Sequence, residues 1–397
     1  MEGDLPEGWE WAQLGEAAEI NMGQSPPGES YNDQKNGLPL LNGPAEFGKD
    51  HPIARQWTSK ITKKSQVGDI LFCVRGATAG RMNRADQVYC LGRGLAAIRG
   101  KQNKSLTDFL NFYLLKSYNF FQDTGRGSTF INISQADLNE LKIPLPPLAI
   151  QREIVAVLEQ AEAVTRQRQE ADALTGALLQ SVFREMFGDP VRNEKGWPLK
   201  NIKEFSAPDK NAIKAGPFGS SLKKECYTKT GFKIYGQEQV IKDDLQFGDY
   251  YISREKYQEL INYSVQAGDI LISLVGSYGK ISIVPESFEQ GIINPRLMKI
   301  SLNQEKVLPI FFKHLFLTDG ILNQVKELSH GGTMDIINVG IVKQLKFPVP
   351  PLALQQQFAR VVESVERIRE RQVASGKEIE GLCGGLMVRA FAGELVA

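Results

Sequence analysis

Two long stretches of the chain carry apolar or small residues at alternating spacings of four and three. The first stretch covers residues 148–187, and the second covers residues 352–397. The repeating positions of the first are Ile150, Ile154, Val157, Ala161, Val164, Arg168, Ala171, Thr175, Leu178 and Val182. This spacing predicts a helix whose seam packs against another helix in a coiled coil. Neither helix could bury its seam alone, so we expect the two to pair, and to do so antiparallel because a globular segment lies between them.

The second seam repeats the first at an offset of 204 residues. Its positions are Leu354, Phe358, Val361, Val365, Ile368, Gln372, Ser375, Ile379, Leu382 and Leu386. A polar residue stands at the same place in both seams, since Gln372 corresponds to Arg168. Such a residue lowers stability but can fix the register of the helices. An ordinary pair of core helices with one tolerated polar position is the alternative, and the matched polar position favours the coiled coil.

The segments that precede the two long stretches are also repeated. The repeated pairs, each early copy followed by its late copy, are residues 141–151 and 345–355, 68–71 and 268–271, and 8–9 and 196–197. A period near 200 residues indicates a duplicated domain, because solenoids repeat every 20–50 residues. Short β-like runs bounded by glycine, such as residues 69–74, and helical patterns, such as residues 106–121, predict a mixed module.

These patterns together predict an α+β chain of four segments. The segments are a first module at residues 1–147, a first long helix at 148–187, a second module at 188–351 and a second long helix at 352–397. The end of the chain, Phe391-Ala392-Gly393-Glu394, resembles Phe187-Gly188-Asp189 after the first helix. We therefore expect two similar mixed α/β modules in pseudo-twofold arrangement, separated by two long antiparallel coiled-coil helices, with adjacent chain termini.

Composition places the chain among ordinary globular proteins. It has 397 residues, of which 42% are hydrophobic and 23% charged, which is enough for several cores. No apolar run approaches the roughly 18 residues of a membrane-spanning helix, and the first residues are acidic, so we expect a cytoplasmic protein. The four cysteines are scattered, which favours neither a disulfide framework nor a zinc site.

The net charge of +1 does not by itself indicate a nucleic-acid binder. Basic residues nevertheless cluster locally in both modules. The first module has Arg75, Arg81 and Arg84 close together, and Glu225 is the only acidic residue between positions 210 and 233 of the second. A solvated surface is the alternative for each cluster taken singly. Their equivalent placement in the two modules favours a surface that faces phosphates.

The element Pro-Pro-Leu-Ala-x-Gln occurs twice, at residues 146–151 and 350–355, and each time it leads into a long helix. Each copy follows a module that opens with Gly-Trp. This arrangement resembles the specificity subunit of type I restriction–modification systems. The resemblance implies that each module is a target recognition domain that reads one half of a bipartite sequence in double-stranded DNA. It also implies that the helices act as a spacer and dock two methyltransferase subunits, that motor–nuclease subunits join the complex, and that the subunit itself is not catalytic. We expect no cofactor and no metal.

In DNA-binding modules, Lys, Arg and backbone amides contact phosphates, and a few polar side chains read base edges. The candidates in the first module are Ser25, Tyr31, Arg75, Thr78, Arg81, Arg126, Ser128 and Thr129. The candidates in the second module are Lys214, Phe218, Ser220, Ser221, Lys223, Tyr278, Lys280, His330 and Thr333. For each of them, the alternative is a loop residue that serves folding alone.

Enzymatic alternatives find little support in the sequence. No acid or amide stands directly before the Pro-Pro pairs, unlike in a DNA amino-methyltransferase, and residues 216–220 lack the Gly-Lys-Ser/Thr ending of a phosphate loop. The three histidines are far apart and form no metal-like or triad-like pattern. A non-catalytic coiled-coil scaffold and a standalone nucleic-acid binder outside restriction–modification are the remaining alternatives. A helix of about 40 residues spans roughly 60 Å, enough to hold two modules on successive major grooves.

Overall fold

The computed structural model describes residues 5–118, 132–275, 279–329 and 337–395 of the protein. The chain divides into two compact units. Unit 1 comprises residues 1–169 and 373–397, and unit 2 comprises residues 170–372. Each unit therefore contains one module together with a part of both long helices.

The described helices include the two long ones that the seam predicts. The helices are α1 (Leu14–Ala17), α2 (Thr107–Lys116), α3 (Gln135–Glu140), α4 (Leu148–Phe187), α5 (Ile202–Phe205), α6 (Gln237–Lys242), α7 (Arg254–Glu259), α8 (Pro309–Phe316), α9 (Asp319–Ser329), α10 (Val339–Gln344) and α11 (Leu352–Ala392). Short 3-10 helices lie at Gly28–Ser30, Pro44–Glu46, Lys224–Cys226 and Ile261–Tyr263. The long helices are α4, with 40 residues, and α11, with 41 residues. Among the described residues, no helix combines the length and the apolar character that crossing a membrane requires.

The described strands are short and divide equally between the units. Those of unit 1 are β1 (Glu10–Gln13), β2 (Ala18–Met22), β3 (Tyr31–Asn32), β4 (Leu38–Leu41), β5 (Gln56–Thr58), β6 (Ile70–Cys73), β7 (Met82–Arg84), β8 (Cys90–Leu91), β9 (Leu95–Gly100) and β10 (Lys142–Leu145). Those of unit 2 are β11 (Leu199–Asn201), β12 (Ile213–Ala215), β13 (Tyr227–Thr228), β14 (Phe232–Tyr235), β15 (Tyr251–Ile252), β16 (Ile270–Ser273), β17 (Ile281–Ile283), β18 (Gly291–Ile293), β19 (Leu297–Ile300) and β20 (Lys346–Pro348).

The two units share one strand topology. In unit 1 the sheets have the orders β2-β9-β6-β7, β3-β5-β4-β8 and β1-β10, and in unit 2 the orders are β12-β19-β16-β17, β13-β15-β14-β18 and β11-β20. The register matches as well, because Ile70 pairs with Ile98 where Ile270 pairs with Ile300. In both units the only parallel pairs among the described strands are β4 with β8 and β14 with β18. The prediction of a duplicated mixed α/β module is confirmed.

Each module packs its main core onto a part of both long helices. In unit 1, Phe109 of α2 shares a buried core with Leu158 of α4 and Phe391 of α11. The ring centroids of Phe109 and Phe391 are 5.3 Å apart. In unit 2, Phe183 of α4 and Phe358 of α11 lie 5.3 Å apart in the equivalent core. The helices are therefore built into the modules rather than attached to them.

The ends of the long helices follow from the residues that flank them. Pro147 and Pro351 stand directly before α4 and α11, where a missing N–H costs nothing. Gly188 and Gly393 follow the helices with φ values of +78° and +74°, a left-handed conformation that favours glycine. A β-carbon at Gly393 would lie 2.0 Å from Cγ of Pro6, so the described ends of the chain meet in unit 1, as expected.

The glutamine of the repeated Pro-Pro-Leu-Ala-x-Gln element joins the start of each long helix to its module. Gln151 is fully buried, accepts a hydrogen bond from the backbone N–H of Leu106 at 2.8 Å, and donates to the carbonyls of Lys104 and Pro146 at 3.0 and 2.8 Å. Gln355 is equally buried and makes the same three bonds. Its partners and distances are Leu308 N–H at 2.9 Å, Lys306 carbonyl at 3.0 Å and Pro350 carbonyl at 2.9 Å. The most specific sequence element of the chain is thus a structural clamp.

The repeated Gly-Asp-Ile-Leu motif forms the turn that leads into the central strand of each module. Gly68 and Gly268 have φ values of +84° and +81°. The carboxylate of Asp69 accepts from Gln66 N–H at 2.7 Å, as that of Asp269 accepts from Gln266 N–H at 2.9 Å. The cationic partners of the two carboxylates differ, since Asp69 pairs with Arg99 at 2.6 Å, whereas Lys299 lies 4.0 Å from Asp269. Burial lowers the pKa of Lys299.

One column of the predicted seam faces inward on both long helices. The correctly predicted positions, which are buried or half-buried, are Ile154, Ala161, Arg168, Thr175 and Val182 on α4 and Phe358, Val365, Gln372, Ile379 and Leu386 on α11. Within unit 2, Gln372 contacts Thr175, whereas Phe358 contacts Phe183 and Phe187. These helix segments are therefore antiparallel, as predicted.

The other column of the seam is only partly correct. Six of its positions are half-buried, as predicted: Ile150, Val157, Ala171, Leu354, Val361 and Ser375. The remaining four positions are exposed. Val164, Leu178, Ile368 and Leu382 are 47%, 43%, 45% and 64% exposed. Residues one position further along the chain also turn inward, namely Gln151, Leu158, Thr165 and Leu179 on α4 and Gln355, Val362, Arg369 and Cys383 on α11. Each helix has to face its module as well as its partner helix, and several inward residues are small or polar. A pattern read from apolar residues alone does not identify them.

Candidate nucleic-acid interface

Three loops of unit 1 are joined by backbone hydrogen bonds at the ends of strands. They are the loop after β2 (residues 23–27), the loop after β6 (residues 74–81) and the turn between β8 and β9 (residues 92–94), and we call them loop cluster 1. The N–H of Gly23 donates to Leu95 O at 2.8 Å, and the N–H of Val74 donates to Gly94 O at 2.9 Å. The turn itself is closed by a bond of 3.1 Å from Leu95 N–H to Gly92 O.

The same bonds recur in unit 2. There the N–H of Gly216 donates to Leu297 O at 2.8 Å, and the N–H of Leu274 donates to Arg296 O at 3.0 Å. The turn closes with a bond of 3.1 Å from Leu297 N–H to Asn294 O. We call residues 216–223, 274–275, 279–280 and 294–296 loop cluster 2. The two loop clusters therefore correspond to each other, in keeping with the duplication of the module.

Glycine is required where the first loop of each cluster passes the turn. A β-carbon at Gly23 would lie 2.2 Å from the carbonyl oxygen of Gly92, and one at Gly216 would lie 1.9 Å from that of Asn294. Real β-carbons do not approach a backbone oxygen so closely, so any larger residue would force the loops apart. The close approach fixes where the following exposed residues stand.

Four of the candidates in the first module lie in loop cluster 1. The hydroxyl oxygen of Ser25 accepts from the N–H of Arg93 at 3.2 Å, and the Thr78 hydroxyl lies 3.7 Å from Cys73 Sγ. Arg75 and Arg81 are exposed. Tyr31 stands apart from them. It lies in β3, at the edge of the second sheet, opposite the edge formed by β8.

The candidates in the second module differ in how firmly they are held. Lys214 donates to Asn211 Oδ1 at 2.8 Å and lies 4.9 Å from the ring centroid of Tyr263, so its side chain is already engaged. The remaining described candidates follow the close approach at Gly216 or lie on the neighbouring loop. These are Phe218, Ser220 and Lys223, which are exposed, Ser221, which is half-buried, and Lys280, which is exposed. The predicted candidates Arg126, Ser128, Thr129, Tyr278, His330 and Thr333 lie outside the described residues.

Two arginines that the sequence interpretation missed belong to the clusters. Arg93 and Arg296 are exposed and sit in the equivalent turns of loop clusters 1 and 2. Within the part of the chain that the structure describes, no carboxylate pairs with Arg75, Arg81 or Arg93. Arg93 stands between two glycines directly after a short β-like run, and that signal could have identified it.

Arg84, which the sequence analysis groups with Arg75 and Arg81, does not belong to loop cluster 1. Arg84 forms an ion pair with Asp108 of α2 and lines a cleft of unit 1 that α4 borders, with a volume of about 870 Å³. It is therefore separated from Arg75 and Arg81, which it follows closely in sequence. Among the described residues, no group of three or more His, Cys, Asp or Glu side chains is placed to hold a metal ion.

Comparison with known proteins identifies the duplicated module. The family model described as type I restriction modification DNA specificity domain matches residues 6–173 and again residues 211–379. The two matches together cover most of the chain, one for each module. The boundaries of the four predicted segments stay a prediction.

Individual relatives carry the same description. The chain is 41% identical over 159 residues to a Methanocaldococcus jannaschii protein assigned as the type I restriction enzyme MjaX specificity subunit. The aligned region covers 40% of this chain and 37% of that relative. It is 22% identical to the type I restriction enzyme MjaVIII specificity subunit of the same organism, over 95% of this chain and 90% of that one. The first match thus spans little more than a third of the relative, whereas the second is nearly complete.

A solved structure shares the fold. A chain from a study of complex assembly and conformational transition of the type I R-M system superimposes with a TM-score of 0.65 and 19% sequence identity, covering 99% of this chain and all of that one. At this identity, the likeness extends to the fold alone.

Proposed function

Because this chain belongs to the type I restriction modification DNA specificity family, we propose that each module reads one half of a bipartite sequence in double-stranded DNA. Residues 1–147 and 188–351 serve as the two target recognition domains in this proposal. Residues 148–187 and 352–397 set the spacing between the half-sites and dock two methyltransferase subunits, and motor–nuclease subunits join that complex. The chain contributes no catalytic group of its own.

The observation that carries the proposal is the duplicated loop cluster. Each cluster combines exposed cations with half-buried or exposed hydroxyl residues, and each is held by the same backbone bonds to the sheets. Exposed Arg and Lys side chains supply contacts to phosphates, whereas hydroxyl and guanidinium groups on fixed loops can read base edges. The two clusters present different side chains, which suits two different half-sites. Loop cluster 1 presents Ser25, Arg75 and Arg93, whereas loop cluster 2 presents Phe218, Ser220 and Arg296.

A binding experiment with and without the cognate methyltransferase tests the proposal. The full chain is incubated with a pool of randomised DNA duplexes, and bound duplexes are separated on gels at several salt concentrations. We expect a selected sequence with two defined blocks and a gap of fixed length, enriched more strongly when the methyltransferase is present. Salt should weaken binding steeply, since phosphate contacts release counterions. Binding without sequence preference would favour a general nucleic-acid binder, and no binding in either case would favour a protein scaffold.

A pair of matched variants assigns the blocks to the modules. Replacing Arg75, Arg81 and Arg93 together by Ala should abolish selection of one block and leave the other. Replacing Lys223, Lys280 and Arg296 by Ala should do the reverse. Equal loss of both blocks in each variant would contradict separate reading.

A further inference from the structure

Phe218 is the most exposed large apolar side chain among the described residues, with 84% of its surface accessible. Its position is fixed by the loop around it. The preceding Pro217 is buried, and the N–H of Ser221 donates to the carbonyl oxygen of Phe218 at 2.8 Å, which closes a turn. Two residues before the ring, Gly216 passes so close to Asn294 that no side chain fits. The loop therefore presents the ring to solvent in a defined place.

The surroundings of this ring are polar and basic. Gly219, Ser220, Lys223 and Lys224 are exposed, whereas Leu222, the nearest apolar residue after the turn, is buried. A protein partner would need a contiguous apolar patch of a few hundred Å². A single apolar ring with cations nearby instead suits insertion between two stacked base pairs of DNA. The ring would contact the faces of the bases, and the cations would contact the phosphates on either side.

We propose that Phe218 inserts between two base pairs of the half-site read by the second module and partly unstacks that step. This inference rests on the proposed DNA-reading function. It also predicts an asymmetry. The equivalent loop of the first module contains Gln24, Ser25, Pro26 and Pro27 and has no aromatic residue, so its half-site stays stacked at the corresponding place. Flexible pyrimidine–purine steps should be preferred at the insertion point, because they unstack at the lowest cost.

The test uses the full chain with its methyltransferase and the duplex selected from the random pool. 2-Aminopurine is placed at one position at a time through both half-sites, and its fluorescence reports unstacking. We expect a rise at a single step in the second module's half-site and none in the first module's half-site. Phe218→Ala should abolish this rise and weaken binding roughly 5- to 150-fold, the range that follows from loss of one aromatic stacking contact.

Control variants separate insertion from a general effect on the loop. Phe218→Trp should retain the fluorescence rise, because a larger ring can still insert. Ile53→Ala removes another exposed apolar side chain, 68% accessible in unit 1, and should change neither signal. If the wild-type complex binds the duplex without any unstacking, or if Phe218→Ala binds and unstacks as the wild type does, insertion is refuted while DNA reading stands. Failure of the wild-type protein to select any sequence would instead refute the proposed function.

Discussion

The side-chain amide of Gln372 donates a hydrogen bond to the hydroxyl oxygen of Thr175 at 2.9 Å, although 197 residues separate the two in sequence. The bond joins α11 to α4 within unit 2, at a half-buried position. It gives the polar seam residue a partner on the facing helix, and it favours one register of the helix pair over others.

Removal of this bond should cost a modest amount of stability. We expect Gln372→Ala to lower the free energy of unfolding by about 1 kcal/mol, the usual net contribution of a hydrogen bond. In a double-mutant cycle, Thr175→Val should add less on top of Gln372→Ala than it costs alone. Urea unfolding of the full chain measures both effects, with the exposed Gln357→Ala on the same helix as the control. Strictly additive effects would show that the pair is not coupled.

Loss of the buried glutamine Gln355 should lower the free energy of unfolding much more. Gln355→Ala leaves the N–H of Leu308 and the carbonyls of Lys306 and Pro350 without their partner. Each such buried group costs about 1–3 kcal/mol, so we expect a loss of roughly 3 kcal/mol or more. The adjacent exposed Gln356→Ala offers a matched control and should change stability by less than about 0.5 kcal/mol. Equal midpoints of denaturation for the two variants would contradict the clamp.

The close approach at Gly216 gives a prediction about binding rather than stability. Gly216→Ala would place a β-carbon 1.9 Å from a backbone oxygen, so loop cluster 2 has to shift. We expect at least a tenfold loss of affinity for the second module's half-site, measured by competition between duplexes that each contain one altered half-site. Gly219→Ala, whose β-carbon would meet nothing within 4 Å, is the control. Loss of affinity for the first half-site instead would show that the clusters do not act separately.

Arg296 should act through its charge. If its guanidinium contacts a phosphate, Arg296→Ala reduces the slope of log affinity against log salt by about one and weakens binding to all duplexes similarly. Arg192→Ala removes an equally charged residue outside the loop clusters, where Glu194 lies 3.6 Å away, and should leave the slope unchanged. A loss of preference at one base position, with an unchanged slope, would assign Arg296 to base reading.

Hydrophobic periodicity and the repeated segments were sufficient to predict the two long helices and the duplication of the module. Ile154 and Phe358 stand in the correctly predicted seam column, and each is buried in the core of its module. Val164 and Leu382 stand at the same helical spacing but are exposed. Their neighbours Thr165 and Cys383 approach each other to 3.5 Å in unit 1, and a small polar contact of this kind leaves no signature in a hydrophobic pattern.

The candidate interface shows the same limit. Ser25 and Arg75 were identifiable because glycine-rich loops follow β-like runs in both modules. The part played by Arg93 depends on bonds that bring residues 23, 74 and 94 together across the sheet, and Tyr31 lies on a different sheet edge despite its proximity to Ser25 in sequence. Contacts between residues distant in sequence decided both cases, and local patterns do not encode them.

The most direct test of the two-module account is methylome sequencing of a host without other restriction–modification systems, after expression of this chain with its cognate methyltransferase. The account predicts methylated sites that share two defined sequence blocks separated by a gap of constant length. Insertion of one heptad into each long helix should lengthen the gap and leave both blocks unchanged. A single uninterrupted methylated sequence, or a gap that stays the same after the insertions, would contradict it.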